Sequence, residues 1–332
     1  MLTAAKVRGK GNTGVRAGAH ALSLLAVPLN AHVLRALGQE PRSLVDLRRA
    51  AGSPPQTTMR GHLKVLMEAG ILERRRQNDF PGSVDYELGQ PGRDLLVVAA
   101  VVRDWLARSP EGPLELGSPA AKSVIKALVE GWSTGVIRAL AARPFSLTEL
   151  SSIITGISYP SLERRLGAMR LAGQIERCPG NGRGTPYAVT GWLRHAIAPL
   201  TAAARWERRH LPTETPPLAK IDVESAFLLT IPTLRLPEEL SGSCRLAVEL
   251  GSADGEARFG GIVAAVEEGR VVSCVSRLAG SADGWVSGSP AGWLRAVIEG
   301  ESDDLEVGGD CELARDVLAE LHGTLFGAPQ AR

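Results

Sequence analysis

The chain has 332 residues, 44% of them hydrophobic and 22% charged, with four cysteines and a formal net charge of +2. That length suits two or three domains with real cores, and no run of about 18 apolar residues exists to span a membrane. Cys178, Cys244, Cys274 and Cys311 lack CxxC spacing, so they read as reduced, mostly structural thiols in a cytoplasm rather than a zinc ribbon or a disulfide scaffold.

The near-neutral total conceals a partition. Residues 1–210 hold 29 Lys and Arg against 16 Asp and Glu, whereas residues 211–332 hold 9 against 20. A basic part suits a polyanionic partner, which an acidic part would repel. Lys6, Arg8, Lys10 and Arg16 precede the apolar run Ala17–Val27, an arrangement with the outline of a signal peptide. The run carries His20 and continues into Asn30, His32 and Arg35, so it reads as the first helices of a domain behind a basic arm suited to a minor groove or to phosphates.

Those helices begin a repeat. Between Leu25 and Arg74, 14 of 50 residues recur 103 positions later, among them Arg35, Pro41, Ser43, Gly70 and Arg74 as Arg138, Pro144, Ser146, Gly173 and Arg177. Farther on the offset is 101, with Tyr86, Arg93, Trp105 and Arg108 matching Tyr187, Arg194, Trp206 and Arg209. A two-residue change confined to one stretch is what a surface loop tolerates. The same domain therefore occurs twice.

In the first copy an amphipathic segment runs to Leu37, and Ser43 with Asp46 forms a capping box for a helix over Leu44–Ala51. A third helix covers about Gln56–Ala69 and stops at Gly70. Strands Ile71–Arg75 and Val84–Leu88 flank a polar tip, and a last helix spans about Arg93–Ala107. In the second copy Ser146 and Glu149 form the box, helix three covers about Pro160–Leu171, the hairpin tip is Pro179–Pro186, and the last helix is Leu193–Arg209. Three helices followed by a hairpin make a winged helix, whose third helix enters the major groove.

The spans Leu34–Trp105 and Ile137–Trp206 resemble HxlR-type winged helix-turn-helix transcriptional regulators. The capping-box helix, Leu63-x-x-Leu66-x-x-Ala69-Gly70, Tyr86-x-Leu88 with Gly92-Arg93, and the Ser158–Leu162 start of helix three carry the likeness. The resemblance implies a DNA-binding domain that pairs through terminal helices, usually as a dimer. The cysteine that some members place near the first helix is missing here, which argues against thiol sensing.

With Met59, Leu63, Leu66, Leu162, Leu166 and Met169 directed to the cores, the DNA-facing candidates on the third helices are Gln56, Thr57, Arg60 and Lys64, then Tyr159, Ser161, Arg164 and Arg165. Gln and Arg suit base edges, and Lys suits phosphates. Wing candidates are Arg74, Arg75, Arg76 and Asn78, then Arg177, Asn181 and Arg183.

The acidic part has strand-like segments at Phe227–Leu236, Cys244–Leu250, Arg258–Val266 and Val271–Leu278. A helix to Glu299, a short strand Leu305–Val307 and a helix Asp310–Leu325 follow. The run from Trp285 to Ala314 resembles the sterol-carrier-protein-like fold, which implies helices on an antiparallel sheet with an apolar ligand between them. Its pocket candidates are Phe227, Leu229, Ile231, Trp285, Trp293, Val297, Leu318, Leu321 and Phe326, with Arg235, Arg277 and Arg295 as anchors.

The expected fold class is α+β: two mainly helical winged-helix domains in tandem followed by an α/β sterol-carrier-like domain. The expected divisions are an arm (1–16), domains at 17–108 and 119–210 around a linker (109–118), and a Pro-rich linker (211–220) before a sensing domain (221–326). No HExxH, Gly-x-Ser-x-Gly or phosphate-loop motif appears, so the expectation is a regulator and not an enzyme, with no cofactor and no metal. Its expected partners are double-stranded DNA and a hydrophobic or aromatic effector, without a membrane, and the chain acts as a monomeric pseudo-dimer or a homodimer. A lipid or small-molecule carrier with protein-binding winged helices, and an architectural DNA binder without an effector, are the alternatives.

Overall fold

The computed structural model describes residues 16–76, 84–130, 133–179, 184–212, 215, 217–253 and 256–327. Helices α1 (Ala19–Ala26) and α2 (Pro28–Leu37) meet at 87°, because Pro28 opens α2 without an N–H to continue the first ladder. β1 (Arg42–Ser43), α3 (Leu44–Ala50), α4 (Gln56–Glu68), β2 (Leu72–Arg76), β3 (Val84–Leu88) and α5 (Gln90–Ala107) complete a first unit, whose sheet has the order β1-β3-β2. No single helix among the described residues is long and apolar enough to cross a membrane.

The same order then recurs: α6 (Pro119–Val129), α7 (Ser133–Ala142), α8 (Leu147–Ile153), α9 (Tyr159–Leu171), β4 (Ile175–Arg177), β5 (Tyr187–Val189), α10 (Gly191–Arg194) and α11 (Ile197–His210). Registers agree as well, with Arg42 opposite Tyr86 in one unit and Phe145 opposite Tyr187 in the other. Met59, Leu63 and Leu66 on α4, like Leu162, Leu166 and Met169 on α9, are buried, each contributing roughly 1.5–3 kcal/mol by leaving water. Both helices end at a glycine with positive φ, Gly70 at 66° and Gly173 at 68°. There Ile71 N–H donates to Leu66 O and Gln174 N–H to Met169 O, both at 2.9 Å, the crossing bond of a Schellman cap.

Two local expectations need correction. The second unit's last helix is interrupted between α10 and α11, because the ring of Pro199 clashes with the carbonyl of the residue four before it, His195. The capping box is complete only in the second unit. Glu149 accepts from Ser146 N–H at 2.7 Å, whereas the shorter Asp46 takes the Ser43 hydroxyl at 2.7 Å instead.

The remaining chain forms α12 (Lys220–Thr230), a 3-10 turn (Ile231–Thr233), β6 (Gly242–Ala253), β7 (Glu256–Glu267), β8 (Arg270–Val275), β9 (Gly284–Gly288), α13 (Pro290–Glu299), β10 (Leu305–Gly309) and α14 (Cys311–Phe326). The expected strand Phe227–Leu236 is instead helix α12 and the 3-10 turn. Phe227, Leu228 and Leu229 are buried on every side, and such an all-apolar run shows neither strand nor helix periodicity. The sheet, of order β10-β9-β6-β7-β8, is mixed rather than antiparallel, because β9 runs parallel to β6. Ser243 and Asp283 fix that start: the Ser243 N–H and hydroxyl donate to the Asp283 carboxylate at 2.7 and 2.8 Å, and Asp283 N–H returns a bond at 3.0 Å.

The charge partition is used at the boundary. Arg138 pairs with Glu224 at 2.7 Å and donates to Ser276 Oγ at 3.1 Å; Arg205 of α11 pairs with Glu299 of α13. Arg194 donates to the carbonyls of Leu228 and Leu229 at 3.3 and 2.9 Å, placing a cation at the negative end of α12. The acidic segment is thus clasped to the second unit by basic side chains. Lys220, the last residue of the expected 211–220 linker, already belongs to α12.

Candidate functional site

Burying the apolar stripe of α4 leaves Gln56, Thr57, Arg60 and Lys64 exposed on its outer face. Lys64 stands 3.7 Å from Glu68, a surface pair worth only about 0.3–0.5 kcal/mol, so phosphate would displace Glu68 readily. On β2, Arg74 is exposed, lies 5.6 Å over the Tyr86 ring and donates to its hydroxyl at 3.5 Å. Exposed Arg75 reaches Glu87 at 3.7 Å. Arg76 ends the strand. The outer face of α4 and the first strand of the hairpin therefore carry cations and amide or hydroxyl groups together, the chemistry a duplex requires.

The second unit is not a copy at this surface. Tyr159, Arg164 and Arg177 are exposed, but Ser161 is half-buried, receives a 3.0 Å bond from the Ser158 hydroxyl and a 3.3 Å bond from Arg164. Arg165 is the correction: with its side chain 16% exposed, it is held by Glu130 at the end of α6. The amphipathic pattern of α9 left it on the surface, and only the tertiary placement of α6 draws it back. α9 also shows Leu171 at 80% exposure. Arg183, Asn78, Asn181, Lys6, Arg8 and Lys10 lie outside the described residues.

Arg16, read as part of the basic arm, is buried at 5% exposure. Its Nη1 donates to Leu128 O at 3.2 Å and its Nε stands 3.8 Å from Asp222. Burial pushes its pKa down, opposed by Asp222, and burial raises that of Asp222, opposed by Arg16.

Of the nine pocket candidates, Phe227, Trp293 and Val297 line one cavity of about 120 Å3, together with Arg16, Asp222, residues of α11, Ala226 and Leu294. Leu229, Ile231, Leu318 and Leu321 are buried but do not line it; Trp285 and Phe326 are half-buried elsewhere. The cavity therefore lies where α11 meets α12 and α13, not between the helices and sheet of the acidic segment alone. Arg295 pairs outside it with Asp304, Glu299 and Glu301, and Arg235 and Arg277 are absent from its wall. Burial pushes the thiol pKa values of Cys244 and Cys274 up to about 12, which disfavours the reactive thiolate.

α5 packs against α11, and two exchanged bonds join it to α10 and α11. Trp105 Nε1 donates to Trp192 O at 3.1 Å and Trp206 Nε1 to Pro91 O at 2.8 Å. Trp206 is the counterpart of Trp105, and Trp192 that of Pro91, at the same spacing of 101.

No curated protein matches the chain. Residues 25–75, from the last turns of α1 through α4 to β2, match a family described as a helix-turn-helix domain. That match supports a winged helix-turn-helix DNA-binding domain in the N-terminal part of this mixed α and β chain.

Proposed function

We propose that the chain is a cytoplasmic transcriptional regulator of HxlR-like type, in which two winged helices fused in tandem act as a pseudo-dimer on double-stranded DNA. The sterol-carrier-like C-terminal domain would sense a hydrophobic or aromatic small molecule. A binder, rather than an enzyme, is what the motifs favour.

One observation carries this reading: the exchanged bonds of Trp105 and Trp206. In an isologous interface residue i of one subunit meets residue j of the other, and j meets i. Trp105 with residue 192 and Trp206 with residue 91 obey that rule inside one chain. A pair so related offers α4 and α9 as two recognition helices, which in dimers read half-sites about one helical turn apart. Because Glu163 stands in the second unit at the position of Arg60, and Arg165, held by Glu130, at that of His62, the two half-sites differ in sequence.

Sensing is supported by the sharing of α11, which packs on α5 on one side and borders the cavity on another. A ligand that binds one seating of α11 better than another shifts the pairing of the two units. Coupling of about 1–3 kcal/mol changes DNA affinity roughly 5- to 150-fold.

Footprinting and a salt-dependent mobility shift on the gene's own upstream DNA test the proposal. Protection of a discrete site, lost in Arg60→Ala, is expected. Sequence-blind binding would make the chain an architectural binder, and a folded chain that ignores DNA would favour the carrier alternative.

A further inference from the structure

Arg16 is a buried guanidinium in the wall of an apolar cavity. Among the described residues, one of its five N–H donors reaches an acceptor at hydrogen-bonding distance, the Leu128 carbonyl, and its described ion pair is open at 3.8 Å, against about 2.7–2.9 Å for a closed charge-assisted bond. Asp222 does not depend on Arg16 alone, because the Thr134 hydroxyl and Ala219 N–H also bond it. A carboxylate brought to Arg16 would therefore complete a guanidinium without leaving Asp222 bare.

Apart from Thr201, the rest of the wall is apolar. Leu200 comes from α11, Ala226 and Phe227 from α12, and Trp293 and Val297 from α13. Phe227 and Trp293 meet edge to face, their centroids 5.1 Å apart at 68°, and Trp293 Nε1 is already used on Ala247 O at 2.9 Å. That indole N–H is therefore not free for a ligand, and Trp293 contributes apolar ring surface. The volume of about 120 Å3 caps the size: it lies below the roughly 150 Å3 of a dry cavity that takes up benzene and far below the roughly 300 Å3 of drug-sized and lipid sites, so no more than one ring is accommodated.

We propose that this junction cavity binds a monocyclic aromatic carboxylate, its ring against Trp293, Phe227 and Leu200 and its carboxylate on Arg16. The ligand class deepens the sensor reading and rests on it for any regulatory meaning, but binding itself is measured without DNA.

The test is calorimetric titration of the full chain with benzoate and with its neutral isostere benzamide. Benzoate is expected to bind at least 10-fold more tightly. Arg16→Met should reduce benzoate to the level of benzamide, and Ala226→Phe, which fills the cavity, should abolish both while thermal melting shows an intact fold. If Arg16→Met fails to fold, the filling variant and the isostere comparison decide alone. Equal binding of the two compounds, benzoate binding that survives Ala226→Phe, or no benzoate binding by the folded chain overturns the assignment. A mobility shift of the same preparation without benzoate reports the DNA reading separately, so either can fail while the other stands.

Discussion

The indoles of Trp105 and Trp192 stack with centroids 4.6 Å apart and planes 8° from parallel, and each N–H donates to the other's backbone carbonyl, at 3.1 and 2.8 Å. The pair joins the end of α5 to the start of α10, and both rings are buried. With the Trp206 bond to Pro91, three indole N–H groups cross the contact between the two helical units. A buried N–H left without its acceptor costs about 1–3 kcal/mol, so this contact has little freedom to slide.

Trp105→Phe keeps an aromatic ring but strips the bond to Trp192 O and weakens the stack. A loss of roughly 1–3 kcal/mol in urea titrations is expected. Trp206→Phe, which removes one bond only, should cost roughly 0.5–1.5 kcal/mol. In the double variant Trp105→Phe with Trp192→Phe the costs should not add, because the residues share one pair. Strict additivity would show that the two act independently.

Glu207 is buried at 2% exposure and accepts from Gly18 N–H at 2.8 Å and Ala21 N–H at 2.9 Å, clamping the start of α1 to α11. Its counterpart in the first unit, 101 residues earlier, is Leu106. Glu207→Leu should orphan those two donors and cost roughly 2–5 kcal/mol. Hydrogen exchange should locate the loss in α1, and equal protection of α1 in both proteins would refute the clamp.

The second unit's cap supplies a pH dependence. Bonds from the Ser146 backbone and hydroxyl, in that order, hold the Glu149 carboxyl below its usual 4.5. A carboxylate lowered by folding stabilises above its unfolded pKa, and that contribution fades as pH falls through the folded value. Wild type should therefore exceed Glu149→Gln in stability at neutral pH, and the gap should close below pH 4.5. A gap constant with pH would mean the charge is irrelevant. Ser146→Ala should cost about 1 kcal/mol.

Much of the fold was legible where local chemistry dictates it. The glycines that stop α4 and α9, the Ser caps and the apolar stripe of Met59, Leu63 and Leu66 are set by neighbours in sequence, and their elements lie within a few residues of expectation. What failed depended on distant partners. Phe227–Leu229 gave no period because every side is covered, the parallel pairing of β9 with β6 needed the far edge of the sheet, and Pro199 marked a break that its helical surroundings hid. At the site, exposure of Arg60 and Lys64 followed from the helical period. The pairing of Arg165 with Glu130 and the burial of Arg16 beside Asp222, 206 residues away, did not. No periodic signal marked Arg16, whose place in a run of basic residues pointed to solvent.

For the wing, Arg74, Arg75 and Arg76 replaced together by Ala should weaken binding to every duplex alike and reduce the slope of log affinity against log salt by roughly 2 to 3 units. Arg60→Ala, if the residue reads a base, should instead cost roughly 1–3 kcal/mol on the preferred site and little on others. An unchanged salt slope for the triple variant would remove the hairpin from the interface.

Selection of bound sequences from random duplexes, with the number of chains per duplex counted by native mass spectrometry, tests the fused pair most directly. One chain should occupy a site built of two unlike half-sites about one helical turn apart, and Trp105→Phe should weaken it. Perfect palindromes carrying two chains, each using residues 25–75 alone, would contradict the pseudo-dimer.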